Sequence, residues 1–359
     1  MCNNHRNPLH CIMPPYMSDK LSELLGEDET QGPTVDEQFR EKRKELAANP
    51  PIMLKARGES KPVNTKLRRE LYDAHESPMQ IGELMWKEGQ KPLPKDKDAI
   101  NVIEGAGHVW KFYKKLFNRN SIDNKGMTIL QNIRYREKKI KPFFNAFWDG
   151  EQMFYGSGAA KFTNSFTTDL DIIGHELTHA VIDFEAALKY ENQSGALNES
   201  FADVFGILIK QYTNKTAARK SDWLIGSNIL KGKNALRSMK APGTAYKNDP
   251  VFGDDPQPAV MKDFMVLKNT EEDDYGGVHF NSGITNHAFY VASFELSGNA
   301  WEKMGAIWYA TLQDKTLLKK NATFKQAANA TLKKAALLFG EGSLAQKAVL
   351  KGWKETGVL

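Results

Sequence analysis

The chain has 359 residues, 41% of them hydrophobic, and a formal net charge of +5. That is apolar material for two or three domains and argues against wholesale disorder, while the lack of any run of about eighteen apolar residues argues against a membrane span. Basic clusters such as Arg68-Arg69 and Lys138-Lys139 are interleaved with acids, so the charge reads as a mixed solvated surface and no nucleic-acid partner is expected.

Residues 1–17 are polar and Pro-interrupted, with neither an apolar core nor a small-residue cleavage site, so no secretory signal is expected. Cys2 and Cys11 are the only cysteines; no disulfide can staple the body of the protein, which leaves the compartment open. Beyond the acidic Glu27-Asp28-Glu29 and a break at Gly32-Pro33, a charged helix is predicted from Val35 to Ala48, ended by Asn49-Pro50-Pro51. This zone has few large apolar residues, so it is either a mobile tail or a segment that docks onto the rest.

Residues 52–165 carry strand and turn signals with one helix. Val102, Ile103, Ala106, Val109, Trp110, Tyr113 and Phe117 recur at helical spacing, which predicts a helix over Val102–Phe117. Short β-type runs follow at Thr128–Ile133 and Phe143–Trp148, and Asp149-Gly150 marks a hairpin to Gln152–Tyr155. After Thr168 the pattern turns helical: Ile172–Glu185, Asn198–Tyr212, Ile284–Leu296, Ala300–Leu312 and Phe324–Phe339. A β-rich half followed by an α-rich half makes an α+β protein with a cleft between them.

The chemistry concentrates in Asp171-Ile-Ile-Gly-His175-Glu176-Leu-Thr-His179. On a helix, His175 and His179 project from one face and can bind one zinc ion, with Glu176 beside them. Two histidines packed by chance on an amphipathic helix remain the alternative at this point. The next helix weighs against it, because Asn198-Glu199-Ser-Phe-Ala-Asp203 puts two acids on one face while Phe201, Val204, Phe205 and Leu208 form the other. Buried acids need partners. Zinc would take Glu199 as third ligand, an imidazole N–H of His175 would take Asp203, and Gly195 is expected to turn the chain just before this helix. A plain surface pair is the competing reading. Three protein ligands leave a fourth position for water, whose proton Glu176 could accept. Candidates for steadying the negative oxygen are Tyr190 and His279, the latter expected in a Gly-rich loop with Asp274 as its partner.

HELTH, then GALNESFADVFG, then GGVHFNSGITNHAFY, with NAFWDGEQMFYGSG and Ala235-Leu-Arg-Ser-Met, resemble the thermolysin-like zinc peptidases over residues 65–359. The resemblance implies an endopeptidase acting on proteins or peptides, with a β-rich N-terminal lobe (residues 51–168), an α-helical C-terminal lobe (169–359) and a zinc cleft between. Tyr190 and His279 match the oxyanion-stabilising pair and Asp274 the histidine's partner. Asn145 and Ala146 match the strand that pairs with substrate backbone. Arg237 matches the arginine beside the pocket for the residue after the cut, and Ile172, Phe166 and Leu236 would line that pocket for bulky apolar side chains.

The opening residues, NNHRNPLHCIMPPYM, are similar to the protealysin branch of that family. Residues 1–50 would then be a propeptide that covers the cleft and is removed autocatalytically, from a monomer that is secreted without a recognisable signal or stays cytoplasmic. Cys11, His5 and His10 are read as solvated side chains rather than zinc ligands. One departure stands out. The family's paired calcium site needs an acid where this chain has Lys210, opposite the retained Asp171, so an ammonium–carboxylate pair is expected in place of the ion. A zinc aminopeptidase and a non-catalytic binding protein on a peptidase scaffold are the rival functions. No acidic motif for capturing a free amine supports the first, and intact Glu176, Tyr190 and His279 oppose the second.

Overall fold

In the computed structural model, which describes residues 10–24, 65–78, 81–91, 95–136, 143–159, 161–232 and 235–359, the β-rich half builds a single six-stranded sheet. The expectations for Cys2, His5, Glu27–Glu29 and the helix at Val35–Ala48 fall outside the described residues. The strands are β1 (His10–Cys11), β2 (Arg69–Ser77), β3 (Glu83–Lys87), β4 (Ile129–Tyr135), β5 (Ala146–Trp148) and β6 (Met153–Tyr155), in the spatial order β1-β5-β6-β4-β2-β3. β5 and β6 form the hairpin predicted at Asp149-Gly150, and Asp149 Oδ1 accepts from the backbone N–H of Glu151 and Gln152 at 2.9 Å each. β1 pairs antiparallel with the other side of β5, matching Cys11 to Phe147.

A central strand is covered on both faces, and five of the seven β4 residues are buried. One face meets a small aromatic cluster in which Phe147 and Phe154 stack at 4.8 Å beside Tyr135 and Phe143. Helix α2 (Lys97–Phe117) buries Val102, Ile103, Ala106, Val109, Phe112 and Tyr113 in the main core that it shares with Ile129 and Ile133 of β4. α2 starts five residues before the apolar spacing does, because Asp96 caps it by accepting from Ala99 N at 2.8 Å. Capping chemistry set that boundary.

The C-terminal half is helical: α3 (Leu170–Phe184), α4 (Asn192–Asn214), α5 (Asp274–Leu296), α6 (Lys303–Leu312), α7 (Phe324–Phe339) and α8 (Leu344–Glu355). The only sheet seen there among the described residues is a two-residue pair, β7 (Leu224–Ile225) with β8 (Arg237–Ser238). α3 and α4 meet without side chains between them at one point. A Cβ on Gly174 would stand 3.1 Å from the Gly206 Cα, and one on Gly206 would stand 2.6 Å from the Asp171 carbonyl oxygen. That contact brings the HELTH face and the Glu199 face together.

Two expectations are corrected. Gly195 lies inside α4, not before it. Its hydrogen faces Val278 and Tyr190, where a Cβ would come within 2.4 Å of Val278 Cγ1. His279 sits in helix α5, not in a Gly-rich loop, just after a left-handed stretch at Asp274, Tyr275, Gly276 and Gly277 with φ of 53°, 50°, 86° and 76°. Sequence spacing also passed over α8, β2, β3 and the first helix, α1 (Pro15–Leu24). α1 opens on a proline, which suits the first helical position, and shows only Met17 and Leu21 at i and i+4, too few for a periodic signal. Both are buried in the main core along with Ile12 and Met13, each worth about 1.5–3 kcal/mol as an upper estimate. Residues 10–24 are therefore a docked segment.

Candidate metal centre and active site

α3 and α4 carry the site between them. His175, Glu176, His179, Glu199 and Asp203 are each 0% exposed, so every charge among them must be answered inside the protein. The His175 Nδ1–H donates to Asp203 Oδ1 at 2.8 Å, and the His179 Nδ1–H donates to Asn198 Oδ1 at 2.9 Å. Asn198 is itself fixed, since its amide N donates to Leu188 O at 3.3 Å. With both Nδ1 atoms held by these oxygens, the two Nε2 atoms turn inward and face each other at 2.9 Å. The carboxylate of Glu199 closes the triangle at 3.4 Å from His175 Nε2 and 3.5 Å from His179 Nε2.

Two imidazole nitrogens and a buried carboxylate crowded at one point make a donor set that a shared cation suits. Ligands about 2.0 Å from a tetrahedral zinc stand roughly 3.3 Å apart, close to the separations found here. These three residues form the metal-binding group found among the described residues. Nitrogen and oxygen donors in this mixture suit zinc. The two imidazoles sit in unlike surroundings: burial, against the pull of Glu199 and with the help of the His175 ring, drives His179 down to about 3, whereas for His175 burial is outweighed by Asp203 and Glu199, which raise its pKa.

Glu176 points into the same space with neither carboxylate oxygen hydrogen-bonded. Burial and the nearby Glu199 push its carboxyl well above the usual range, while Arg237 and the backbone N–H of Ile12 pull the other way. A carboxyl so placed exchanges a proton readily with a water or an amine.

Opposite stand Tyr190 and His279. The Tyr190 hydroxyl donates to Glu199 Oε1 at 2.6 Å and lies 3.2 Å from His279 Nε2. Asp274 grips His279 twice, accepting from its backbone N–H at 2.7 Å and from Nδ1–H at 2.6 Å. The left-handed stretch that opens α5 makes this double grip possible, a backbone conformation that costs about 1–3 kcal/mol per non-glycine residue. Burial disfavours a charged ring, but Asp274 and Glu199 outweigh it and hold the His279 pKa up at about 9. The ring therefore donates from both nitrogens, and its Nε2–H meets the carbonyl oxygen of Cys11 at 2.7 Å.

Cys11 belongs to a strand that runs through the cleft. Ile12 N–H donates to Ala146 O at 3.3 Å, Met13 N–H to Asn145 Oδ1 at 3.0 Å, and the Asn145 amide back to Met13 O at 3.2 Å. Arg237 Nη1 donates to Ile12 O at 2.7 Å, and its Nε and Nη2 donate to Asp203 at 2.8 and 2.7 Å. Arg237 thus joins the peptide in the cleft to the carboxylate behind His175. Ile172, Phe166 and Leu236 are buried in the same core as Ile12, and a Cβ on Gly226 would stand 2.8 Å from Leu236 Cδ1 and 3.3 Å from Ile172 Cδ1. Cys11 is not the solvated side chain expected. It is half-buried and borders the aromatic cluster of Tyr135, Phe143, Phe147 and Phe154.

Sequence reasoning missed three residues. Asn198 adjoins Glu199 in the quoted motif, yet nothing in spacing assigns its amide to His179. Asn286 donates to Asp203 Oδ2 at 2.8 Å; it lies seven residues past His279 on α5, hence on the same face, a signal that could have been read. Gln257 donates to His279 O at 2.6 Å from a segment with no periodicity. At the far end of α3, Lys210 Nζ meets Asp171 Oδ2 at 3.0 Å, Leu224 O at 3.2 Å and Asp222 Oδ2 at 3.4 Å. Burial opposes the ammonium there, but Asp171 and Asp222 outweigh it and raise the Lys210 pKa.

Comparison with known proteins agrees with this geometry. Residues 48–183 match the thermolysin metallopeptidase catalytic domain, and residues 186–358 match the thermolysin metallopeptidase alpha-helical domain. The chain is 44% identical over 299 residues to Protease PrtS of Photorhabdus sp. (strain Az29), covering 82% of this chain and 78% of that one. It is 43% identical over 293 residues to an extracellular metalloprotease of Pectobacterium carotovorum subsp. carotovorum, covering 81% of each. Among solved structures, the precursor of protealysin, a metalloproteinase from Serratia proteamaculans, superposes with a TM-score of 0.81 at 39% identity, over 98% of this chain and 100% of that one.

Proposed function

The chain belongs to the thermolysin metallopeptidase family, in its protealysin branch, and from that premise we propose how its residues divide the work of a zinc metalloendopeptidase. His175, His179 and Glu199 hold the ion. Bound there, zinc would polarise a peptide carbonyl and lower the pKa of water toward about 7. Glu176 accepts a proton from the attacking water and passes it to the leaving amine. Tyr190 and His279 donate to the developing oxyanion, and Asp274 keeps His279 protonated and aimed. Asp203 and Asn198 fix the imidazole tautomers. Ala146, Asn145 and Arg237 hold the substrate backbone, while Ile172, Phe166 and Leu236 favour a bulky apolar residue after the scissile bond.

The single observation that carries this reading is the convergence of the His175 and His179 Nε2 atoms with Glu199 beside the unpartnered Glu176 carboxylate. It is tested by casein digestion with and without a zinc chelator, alongside Glu176→Ala. Undiminished cleavage by the variant would sink the mechanism. N-blocked peptides with Leu or Asp after the cut test the pocket; equal rates would remove the apolar preference. The strand continues through the cleft on both sides of the metal centre, which favours an endopeptidase over an aminopeptidase.

Residues 1–50 act as an inhibitory propeptide, removed autocatalytically. The strand at Cys11–Met13 and the precursor nature of the solved relative support this. The Lys210–Asp171 pair stands in for the family's paired calcium ions. The enzyme is a monomer acting on protein substrates. One relative is named an extracellular protease, which supports export, and no described helix is long and apolar enough to cross a membrane.

A further inference from the structure

We propose that the Cys11–Ile12 peptide bond is a self-cleavage site, and that helix α1 holds the cut strand in the cleft so that this first cut alone does not open it. The proposal rests on the peptidase reading above and goes beyond it in naming the bond and the device that delays activation.

The direction of the strand decides the first half. A peptide can block a cleft in either polarity, but only one polarity presents a bond for cutting. Here the Cys11 carbonyl oxygen receives the His279 Nε2–H at 2.7 Å, beside the Tyr190 hydroxyl. The nitrogen of that same bond, on Ile12, donates its N–H to Ala146 O at 3.3 Å, on the strand's β5 side, and the Glu176 carboxylate beside it keeps both oxygens without a hydrogen-bond partner. A carbonyl held on the oxyanion donors, with a free carboxylate at hand to carry protons, is the arrangement hydrolysis needs. Arg237 on Ile12 O, Ala146 on Ile12 N and Asn145 on both polar atoms of Met13 leave the backbone past the bond no freedom to slide. In the reaction a water oxygen bonds to the Cys11 carbonyl carbon and the C–N bond to Ile12 breaks. Glu176 relays the protons, so the products are a Cys11 carboxylate and an Ile12 ammonium.

The second half follows from what lies beyond Met13. Tyr16 stacks on Phe280 at 5.3 Å and hydrogen-bonds through its hydroxyl to Tyr246. Lys20 Nζ donates to Phe252 O at 3.1 Å, and Met17 and Leu21 are 1% and 0% exposed. None of these contacts depends on the Cys11–Ile12 bond. On the other side, His10 and Cys11 stay paired to β5. Cut ends held from both sides remain adjacent, so resynthesis competes with release until α1 leaves.

The test uses the full chain loaded with zinc, with full-length Glu176→Gln as control, followed by denaturing intact mass and N-terminal sequencing. A chain beginning at Ile12 is expected before casein digestion becomes maximal, and none in the control. Tyr16→Ala combined with Leu21→Ala should give the same Ile12 terminus while casein activity appears roughly tenfold sooner. In the Glu176→Gln background, hydrogen exchange at the Ile12 and Met13 amides should be slow, and the same double substitution should speed it by about tenfold or more. Maturation through other cuts with no Ile12 terminus would overturn the cleavage site while leaving the peptidase reading intact. Unchanged activation time and exchange in the double variant would overturn the clamp. Failure of every zinc-loaded chain to digest casein would instead sink the peptidase reading, and this proposal with it.

Discussion

At the scale of single residues, the site depends on which atom of each side chain is already committed. The imidazoles of His175 and His179 can act as ligands only through Nε2 because Asp203 and Asn198 occupy Nδ1. Asp203→Ala should therefore weaken zinc retention about 10–100-fold, measured by competition with a chromophoric chelator, and leave Glu176 chemistry possible at saturating metal. Wild-type affinity in that variant would refute the tautomer argument. Asn286→Ala removes one of the four donors to the same carboxylate and should have a smaller effect in the same direction. Away from the cleft, Asp73 offers a pH prediction. Burial works against its charge, but the forked bond from Arg134 at 2.9 and 2.5 Å outweighs it and holds the carboxyl below its usual value. A depressed carboxyl contributes stability above the unfolded pKa near 4 and loses it as pH falls through the folded value. Asp73→Asn should cost about 1–3 kcal/mol at pH 7, and the gap from wild type should narrow below about pH 4 in urea titrations. A gap independent of pH would mean that shape, not charge, matters there.

At the scale of elements, what could be read from the sequence depended on the length of the periodic signal. α7 runs from Phe324 to Phe339, the bounds its apolar spacing gives, because a Thr323–Gln326 capping box starts it and Gly340, at φ 93°, ends it where the pattern does. β2 escaped notice because its exposed and half-buried positions carry Arg69, Glu70, Tyr72 and His75, so alternation is interrupted by charge. The metal ligands were legible since i,i+4 spacing on two helices is local information. The roles of Asn286, Gln257 and the Cys11–Met13 strand were not, because each depends on partners up to 268 residues away. Lys210 gives the element-level prediction. Its ammonium ties α4 to Asp171 on α3 and to the turn at Asp222–Leu224. The melting temperature should therefore not respond to calcium at millimolar concentration. Lys210→Met, which strands a buried carboxylate, should destabilise by about 1–3 kcal/mol. A calcium-dependent rise in the wild type would contradict the reading of this pair.

At the scale of the whole molecule, the two halves meet at the metal centre, with Asn145 and Ala146 supplied by the sheet side and every candidate ligand by α3 and α4. An ion that binds only the folded chain stabilises it by mass action, about 4 kcal/mol at a thousandfold excess over its dissociation constant. Chelation should lower the melting temperature as well as abolish casein digestion, and zinc without calcium should restore both. Loss of activity without any loss of stability would point to a metal held elsewhere.

The order of strands carries one more consequence. With β1 gone, β5 becomes the margin of a six-stranded sheet reduced to five, and its outward N–H and C=O groups have no neighbour. Such a margin is a template for any extended chain, another copy of the enzyme included. Its safety lies in brevity: β5 spans only Ala146–Trp148 before Asp149 turns the chain away. Three residues suffice to grip a peptide passing the metal, yet are too few to seed sheet growth between molecules. Lengthening this strand to strengthen peptide capture would therefore be expected to trade catalytic turnover for precipitation.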